Sequence, residues 1–156
     1  MLFYKTKPNI RFVFILLLIV FALSACKFNK HNASDSKSLE QKFSKIAGGQ
    51  LFSLDTLKSG NWSAFSVITP YCNIDSLLNL NIVIDKDAKK ELRQLVLFDN
   101  INTLLFINND TVVDFEPISR SIIDFSLINN TSKLLFTPLD IFKVNENRTV
   151  EYYPVK

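Results

Sequence analysis

Three hydrophobic patterns follow one another along the 156-residue chain. Residues 12–22 (FVFILLLIVFA) form an unbroken apolar run. Leu39, Phe43 and Ile46 then recur at the spacing of one helix face. From Trp62 onward, short runs of β-forming residues alternate apolar and polar positions, as strands with one buried face do. The pattern predicts a leader, an amphipathic helix and then a mainly β region.

The amphipathic helix is predicted over 36–47, where Ala47 completes the apolar face. Ser38 and Gln41 have the spacing of a capping box, and Gly48-Gly49 supplies a stop. A further helical turn is predicted after Asn73, with Ile74, Leu77 and Leu78 on one side.

Short strands are predicted over 62–68, 94–98, 103–107, 111–116, 121–128, 134–137, 141–144 and 149–153. The charged segment 85–91 connects two of them and has room for another helical turn. Because a sheet with one apolar face must bury that face against other elements, we expect an α+β fold. It would contain one small antiparallel sheet of about five to seven strands covered by one or two short helices, and a small β-sandwich or barrel is the alternative.

The clearest predicted element is a hairpin with Asn109 and Asp110 at its centre, because both residue types accept the backbone of a tight turn. A regular two-residue turn pairs Phe106 with Val113 and Leu104 with Phe115, all on one face. The opposite face would carry the mixed set Leu105, Ile107, Val112 and Asp114 and be partly wet.

The leader carries three basic residues and no acid before its apolar run and ends in Leu23-Ser24-Ala25-Cys26. That string resembles the lipobox of bacterial lipoproteins. The resemblance implies cleavage before Cys26, with a covalent diacylglycerol on its sulfur and an N-acyl chain on its new amino terminus. A permanent membrane helix is the weaker interpretation, because a spanning helix needs about 20 apolar residues.

This boundary divides the chain into a signal peptide (1–25), a polar tether (26–35) and a single domain (36–156). Loss of the leader removes three of the 18 basic residues and none of the 15 acidic ones, so the mature chain carries 15 of each. Without a basic surface, we expect no nucleic-acid partner. Lys27 after Cys26 resembles the signal for delivery to the outer membrane, facing the periplasm, in bacteria with enterobacterial sorting rules.

The domain lacks the residues that several kinds of catalytic and binding sites require. The single histidine, His31, lies in the tether, which excludes histidine-dependent catalysis in the domain and predicts no metal site. None of the three glycines stands in a phosphate-binding motif, so we expect no nucleotide cofactor. Cys72 is interpreted as a buried apolar residue and not as a reactive thiol. The acids Asp114 and Glu116 are interpreted as part of a solvent face.

A second resemblance rests on Trp62 leading a strand into Pro70-Tyr71, then a hairpin, then Arg120 followed four residues later by Asp124 and Phe125. This order is similar to that of a family of small bacterial lipoproteins, over Trp62 to about Leu127. The family often has an acid after the tryptophan and a glycine before the Asp-Phe pair, where this chain has Ser63 and Ile123. The resemblance implies a fold and a location, and no activity.

Trp62, Tyr71, Arg120 and Asp124 are therefore the candidate binding residues. On one extended strand Arg120 and Asp124 would stand about 13 Å apart at 3.3 Å per residue, too far for direct contact. Each would have to pair across strands or bind a ligand. We favour core packing for the aromatic residues and structural ion pairs for the charged ones.

These features predict a non-enzymatic, lipid-anchored protein of the bacterial cell envelope that binds another envelope protein or supports an envelope assembly. An immunity-type lipoprotein that neutralises an envelope toxin fits the same features. A small ligand-binding or enzymatic domain, with a pocket near Tyr71, Cys72, Arg120 and Asp124, is the alternative from a different class.

Overall fold

The computed structural model describes residues 33–75, 80–131 and 133–154, which combine helices with antiparallel strands. The elements in chain order are α1 (Ala33–Ser44), β1 (Leu51–Phe52), a 3-10 helix (Leu54–Thr56), β2 (Ala64–Ile68), α2 (Lys86–Leu95), β3 (Ile101–Asn108), β4 (Thr111–Ser119), a second 3-10 helix (Ser126–Asn130), β5 (Phe142–Val144) and β6 (Val150–Tyr152). The predicted α+β class is confirmed.

The strands of the described residues form two antiparallel sheets of three strands, in the orders β2-β3-β4 and β1-β5-β6. The prediction of one larger sheet was wrong. Residues 121–128, predicted as a strand, form turns and the start of the second 3-10 helix. The predicted strand 134–137 is reduced to one bridge between Phe136 and Phe65. The chain between β4 and β5 therefore adds no full strand to either sheet.

The helix predicted over 36–47 is α1, which begins at Ala33, inside the predicted tether, and ends at Ser44. Leu39 and Phe43 on it, and Ile46 just after it, are buried as the spacing predicts. Ala47 is exposed, because the helix has already ended there.

Both ends of α1 differ from the prediction. Ser38 and Gln41 lie inside the helix, so the predicted capping box is wrong. The helix ends at Ser44, before Gly48-Gly49, so these glycines do not supply the predicted stop, and Gly49, with a φ of +80°, lies in a separate turn closed by the hydrogen bond from the Gln50 N–H to the Ala47 carbonyl. The guanidinium of Arg148 donates to the carbonyl of Phe43 over 2.9 Å and so satisfies a carbonyl group near the end of the helix.

The predicted hairpin consists of β3 and β4, joined by Asn109 and Asp110 with φ angles of +47° and +59°. Positive φ at both central residues is the signature of a type I′ turn, which asparagine and aspartate tolerate better than most residues. Asn108 pairs with Thr111 on either side of the turn, as a two-residue turn requires.

A β-bulge beyond this turn shifts the register by one residue. Phe106 pairs with Asp114 and not with Val113, and Phe115 pairs with the residue after Leu104. Both predicted pairs were therefore wrong by one position. The extra residue is Val113, whose side chain is half exposed. The bulge turns Asp114 to the face that carries Phe106.

Lys58 compensates for the acids that the bulge brings to this face. Its Nζ lies 2.8 Å from carboxylate oxygens of both Asp114 and Glu116 and 4.8 Å from the centre of the Phe106 ring. Burial lowers the pKa of Lys58, but its hydrogen bonds to the two carboxylates outweigh this and raise the pKa above the ordinary value. Glu116 is buried, so the interpretation of these acids as a solvent face was wrong.

The charged connection predicted over 85–91 is part of α2. The Asp85 carboxylate caps this helix by accepting hydrogen bonds from the N–H groups of Asp87 and Ala88. The strand predicted over 94–98 was wrong, because its first two residues finish α2 and the others form turns. Leu92, on the inner face of α2, is fully buried.

Strands β2, β5 and β6 lie within predicted strands 62–68, 141–144 and 149–153. The side chain of Asn73 accepts a hydrogen bond from the N–H of Asp75. The rest of the helical turn predicted after Asn73 lies outside the described residues. Leu77 and Leu78 are outside them.

The buried apolar side chains form two clusters on opposite faces of the β2-β3-β4 sheet. The first joins α1 with both sheets and is rich in phenylalanine: Phe43, Phe52, Phe65, Phe106, Phe125, Phe136 and Phe142. The second lies between this sheet and α2: Ile68, Ile74, Leu92, Leu105 and Phe115. Leu105 is fully buried in the second cluster, so the face predicted to be partly wet is covered there.

We expect Asp110→Gly to raise the free energy of unfolding by about 0.5 kcal/mol, because glycine adopts the positive φ of this turn without a Cβ penalty. Asp87→Gly in α2 is the matched control and should lower it by roughly 0.5 kcal/mol, because glycine is a poorer helix former than aspartate and the acid in the first turn is lost. Urea unfolding monitored by circular dichroism measures both. Equal destabilisation by the two variants would contradict the type I′ turn.

Candidate functional site

Three of the four candidate binding residues converge at the end of the β3–β4 hairpin that lies opposite its turn. Asp99 and Asn100 precede β3, and Arg120 follows β4. The N–H of Arg120 donates to the carbonyl of Asn100 over 2.9 Å, one step beyond the Ile101–Ser119 pair. The pairing of the strands thus brings segments twenty residues apart into contact.

Arg120 and Asp124 form a direct, bidentate ion pair. Arg120 Nε lies 3.0 Å from Asp124 Oδ1, and Nη2 lies 2.8 Å from Oδ2. The predicted separation of about 13 Å assumed an extended strand. The N–H groups of Ile122 and Ile123 instead both donate to the carbonyl of Ser119, so the chain turns and its two charged side chains meet. The preferred interpretation of these residues, a structural ion pair, fits this geometry.

The Asp124 carboxylate accepts hydrogen bonds from more than its ion-pair partner. The Ser126 N–H donates to Oδ1 over 2.9 Å, and the Asn102 side-chain amide donates to the same atom over 3.4 Å. Burial raises the pKa of Asp124, but Arg120 and these two donors outweigh it and lower the pKa below the ordinary value. The same pair raises the pKa of Arg120. Both groups are therefore held in their charged states.

Tyr71 reaches this ion pair through Asp99. Its phenol donates a hydrogen bond to the Asp99 carboxylate, while Arg120 Nη1 donates to the Asp99 carbonyl over 2.7 Å. Tyr71 has a φ of +59°, which is uncommon for an aromatic residue. Its N–H donates to the carbonyl of Val96 over 2.8 Å. Tyr71 is thus held through its backbone and its hydroxyl, but 69% of the residue is exposed, so the interpretation of its ring as core packing was wrong.

Leu97 and Phe98 lie in the chain between Val96 and Asp99, the two residues that accept hydrogen bonds from Tyr71. Leu97 is 67% exposed and Phe98 is 53% exposed. We call Tyr71, Leu97 and Phe98 the Tyr71 patch. Large apolar side chains grouped at a surface mark interaction sites more often than single ones do. Leu97 and Phe98 were not predicted as binding residues, because 94–98 was predicted as a strand. The turn signal that would have corrected this prediction is Asp99-Asn100, directly after them.

Trp62 lies apart from this patch. Its ring makes edge-to-face contacts with Phe65 and Phe106, with centroids 6.1 Å and 5.1 Å apart, and it packs against the first cluster. Cys72 is half-buried against the second cluster, and burial raises the pKa of its thiol. A raised pKa keeps a thiol protonated and less nucleophilic at neutral pH.

An open groove of about 410 Å³, for which the sequence carries no signal, lies beside β1 and the segments that flank it. Its apolar lining residues are Ile46, Leu51, Phe52, Leu57, Ile141 and Tyr153. None of the four candidate binding residues contributes to it.

Among residues 33–75, 80–131 and 133–154, no three histidine, cysteine or acidic side chains are grouped as ligands for a metal ion. Within the same residues, no helix has the length and apolar character needed to cross a membrane. Comparison of the chain with protein-family models, curated proteins and solved structures finds no match. The predicted lipobox lies outside the described residues and no family model matches the region from Trp62 to Leu127, so both resemblances to lipoproteins stay predictions.

Asp124→Asn should lower the free energy of unfolding by about 1.5–3 kcal/mol near pH 7, because it removes the charge from a carboxylate with several donors. The folded-state pKa of Asp124 is depressed. Its contribution is therefore complete above the unfolded pKa of about 3.9 and is lost as the pH falls through the lower folded pKa.

Urea unfolding of wild type and variant between neutral and acidic pH measures this contribution. The difference in the free energy of unfolding between wild type and Asp124→Asn should decrease as the pH falls. Asp75→Asn is the matched control, because Asp75 also pairs with cations but is solvent-exposed, and its effect should be smaller. A difference for Asp124→Asn that stays constant with pH would contradict the ion pair.

Proposed function

We propose that this protein is a lipid-anchored component of the bacterial cell envelope that binds another envelope protein through the Tyr71 patch and has no enzymatic activity. The observation that carries the proposal is the exposure of Tyr71, Leu97 and Phe98 at one site. Tyrosine and arginine are enriched among the residues that dominate protein–protein affinity. In the proposal the patch provides the apolar centre of the interface, and Arg120 with Asp99 its polar rim.

The polar groups around the patch support binding over catalysis. Arg120 donates through Nε, Nη1 and Nη2 to Asp124 and to the Asp99 carbonyl. The pKa of Asp124 is lowered and that of Arg120 is raised. A group that exchanges protons in catalysis needs a pKa near the working pH, so neither residue suits proton transfer at neutral pH.

The anchor is proposed from the lipobox. In this proposal Cys26 carries a diacylglycerol and an N-acyl chain, and the protein faces the periplasm from the outer membrane. Each buried methylene contributes about 0.8 kcal/mol, so two or three chains hold a protein to a bilayer essentially permanently. The balanced charge of the mature chain fits a protein partner better than nucleic acid.

Intact-mass analysis of the protein from its native membrane tests the anchor. The expected mass is that of a chain starting at Cys26 with its acyl groups, and Cys26→Ser should abolish both cleavage at this position and acylation. A wild-type product with an unmodified sulfur, or with the leader still present, would contradict the anchor.

Photo-cross-linking in the native bacterium tests the binding surface. Benzoyl-phenylalanine placed at Leu97 and at Phe98 should give one shared protein adduct, because both side chains are exposed in the same patch. The matched control is Leu139, which is 73% exposed in the turn before β5. The adduct should be absent there.

Once the adduct is identified, Phe98→Ser should weaken binding of the purified partner by about 2 kcal/mol, or roughly 30-fold, as expected for a central interface residue. Leu139→Ser should leave the affinity unchanged. Equal adducts from all three positions, or none from the patch, would count against the proposed function.

A further inference from the structure

Asn102 is a fully buried polar residue in β3 that makes incomplete use of its hydrogen-bonding groups. Its amide NH₂ donates to Asp124 Oδ1 over 3.4 Å, whereas its own oxygen, Oδ1, has no hydrogen-bond partner. The orientation of the amide is fixed, because only the NH₂ group can donate to a carboxylate. A buried acceptor without a donor costs free energy that an apolar side chain would not.

The surroundings of Asn102 are those of an apolar position. It lies on β3 two residues before Leu104, on the face that belongs to the first cluster, and it pairs with the buried Ile118 on β4. Leucine has the same branching at Cγ, although it is larger, and it has no unpaired polar atom. Asparagine is therefore not the residue that stability alone would place here, and such local exceptions are expected where function makes a demand.

The side chain of Asn102 donates a hydrogen bond to one charged residue, Asp124, which belongs to the candidate site. Asp124 Oδ1 receives donors from Arg120, from the Ser126 N–H and from Asn102, and Asn102 approaches it from the buried side of the sheet. Three donors on one oxygen fix the plane of the carboxylate. Because Arg120 bonds that carboxylate through two nitrogens, the plane of its guanidinium is fixed as well.

The position of Arg120 in turn determines the position of Asp99, which contacts Tyr71 of the patch. Its third nitrogen, Nη1, donates to the Asp99 carbonyl, and the Asp99 carboxylate accepts from Tyr71. We propose that Asn102 is a positioning residue, which holds the Asp124–Arg120 ion pair, and through Asp99 the Tyr71 patch, in the arrangement that binds the partner. This inference rests on the proposed function for its biological meaning, but the positioning itself can be tested without a partner.

The test replaces Asn102 in the full-length, lipidated protein in detergent, with Asn102→Leu and Asn102→Val as independent variants. The urea midpoint should stay close to that of the wild type, because removal of the unpaired buried oxygen offsets the loss of the long hydrogen bond to Asp124. Hydrogen exchange of the Arg120 Nε–H, followed by NMR, should become about tenfold faster, the order expected when one hydrogen bond to a charged group is lost from this network.

Ser66→Ala is the matched control. Ser66 is also buried in this sheet, and its hydroxyl donates to the carbonyl of Leu134 over 2.9 Å, away from the ion pair. This variant should lower the urea midpoint and leave the exchange of the Arg120 Nε–H unchanged. Its comparison with the Asn102 variants separates positioning of the ion pair from general stability.

The proposal is overturned if both Asn102 variants lower the urea midpoint, since the amide would then serve stability alone, or if neither changes the exchange of Arg120. It is supported if exchange accelerates without loss of stability and the Leu97 adduct decreases in the same variants. If exchange accelerates but wild-type protein gives no adduct at Leu97, the positioning of the ion pair is supported and the proposed function fails.

Discussion

The structure depends on the burial of β3 on both of its faces. Residues Asn102–Ile107 are all buried, so the strand separates two apolar clusters, one shared with α1 and the second sheet and one covered by α2. A strand buried on both sides cannot direct its polar groups to solvent, so each either finds a partner inside or stays unpaired at a cost, as Asn102 Oδ1 does. The neighbouring strand β4 is under the same constraint at the bulged part of the hairpin, where Lys58 bonds the inward-facing Asp114 and Glu116.

The candidate site results from the same constraint at the other end of the hairpin. There β3 begins and β4 ends, and the chain must leave a sheet whose faces are both covered. The turn after β4 brings Arg120 back onto Asp124, and the turn before β3 places Asp99 against Arg120. Arg120, Asp124, Asp99 and Tyr71 bond one another there, while the apolar side chains of the Tyr71 patch remain at the surface.

The parts of the fold that depend on local spacing could be predicted. The buried face of α1 follows from one helical repeat, and the β3–β4 turn from Asn109-Asp110. The strand predicted over 94–98 failed because a short apolar run next to a charged helix has no periodicity that separates strand from helix end. The 13 Å separation of Arg120 and Asp124 failed because it assumed an extended backbone where the chain turns.

By itself, the sequence determined the α+β class, the position of the first helix and of the hairpin turn, and the equal numbers of acidic and basic residues from Cys26 onward. These are properties of residue type and of spacing within a few residues. Tertiary structure alone decided the bulge at Val113, the pairing of Lys58 with two acids, the union of Tyr71 with Arg120 through Asp99, and the burial of Asn102 without a donor. Each of these depends on which distant segment packs against the residue, and that choice is made by the whole set of buried contacts.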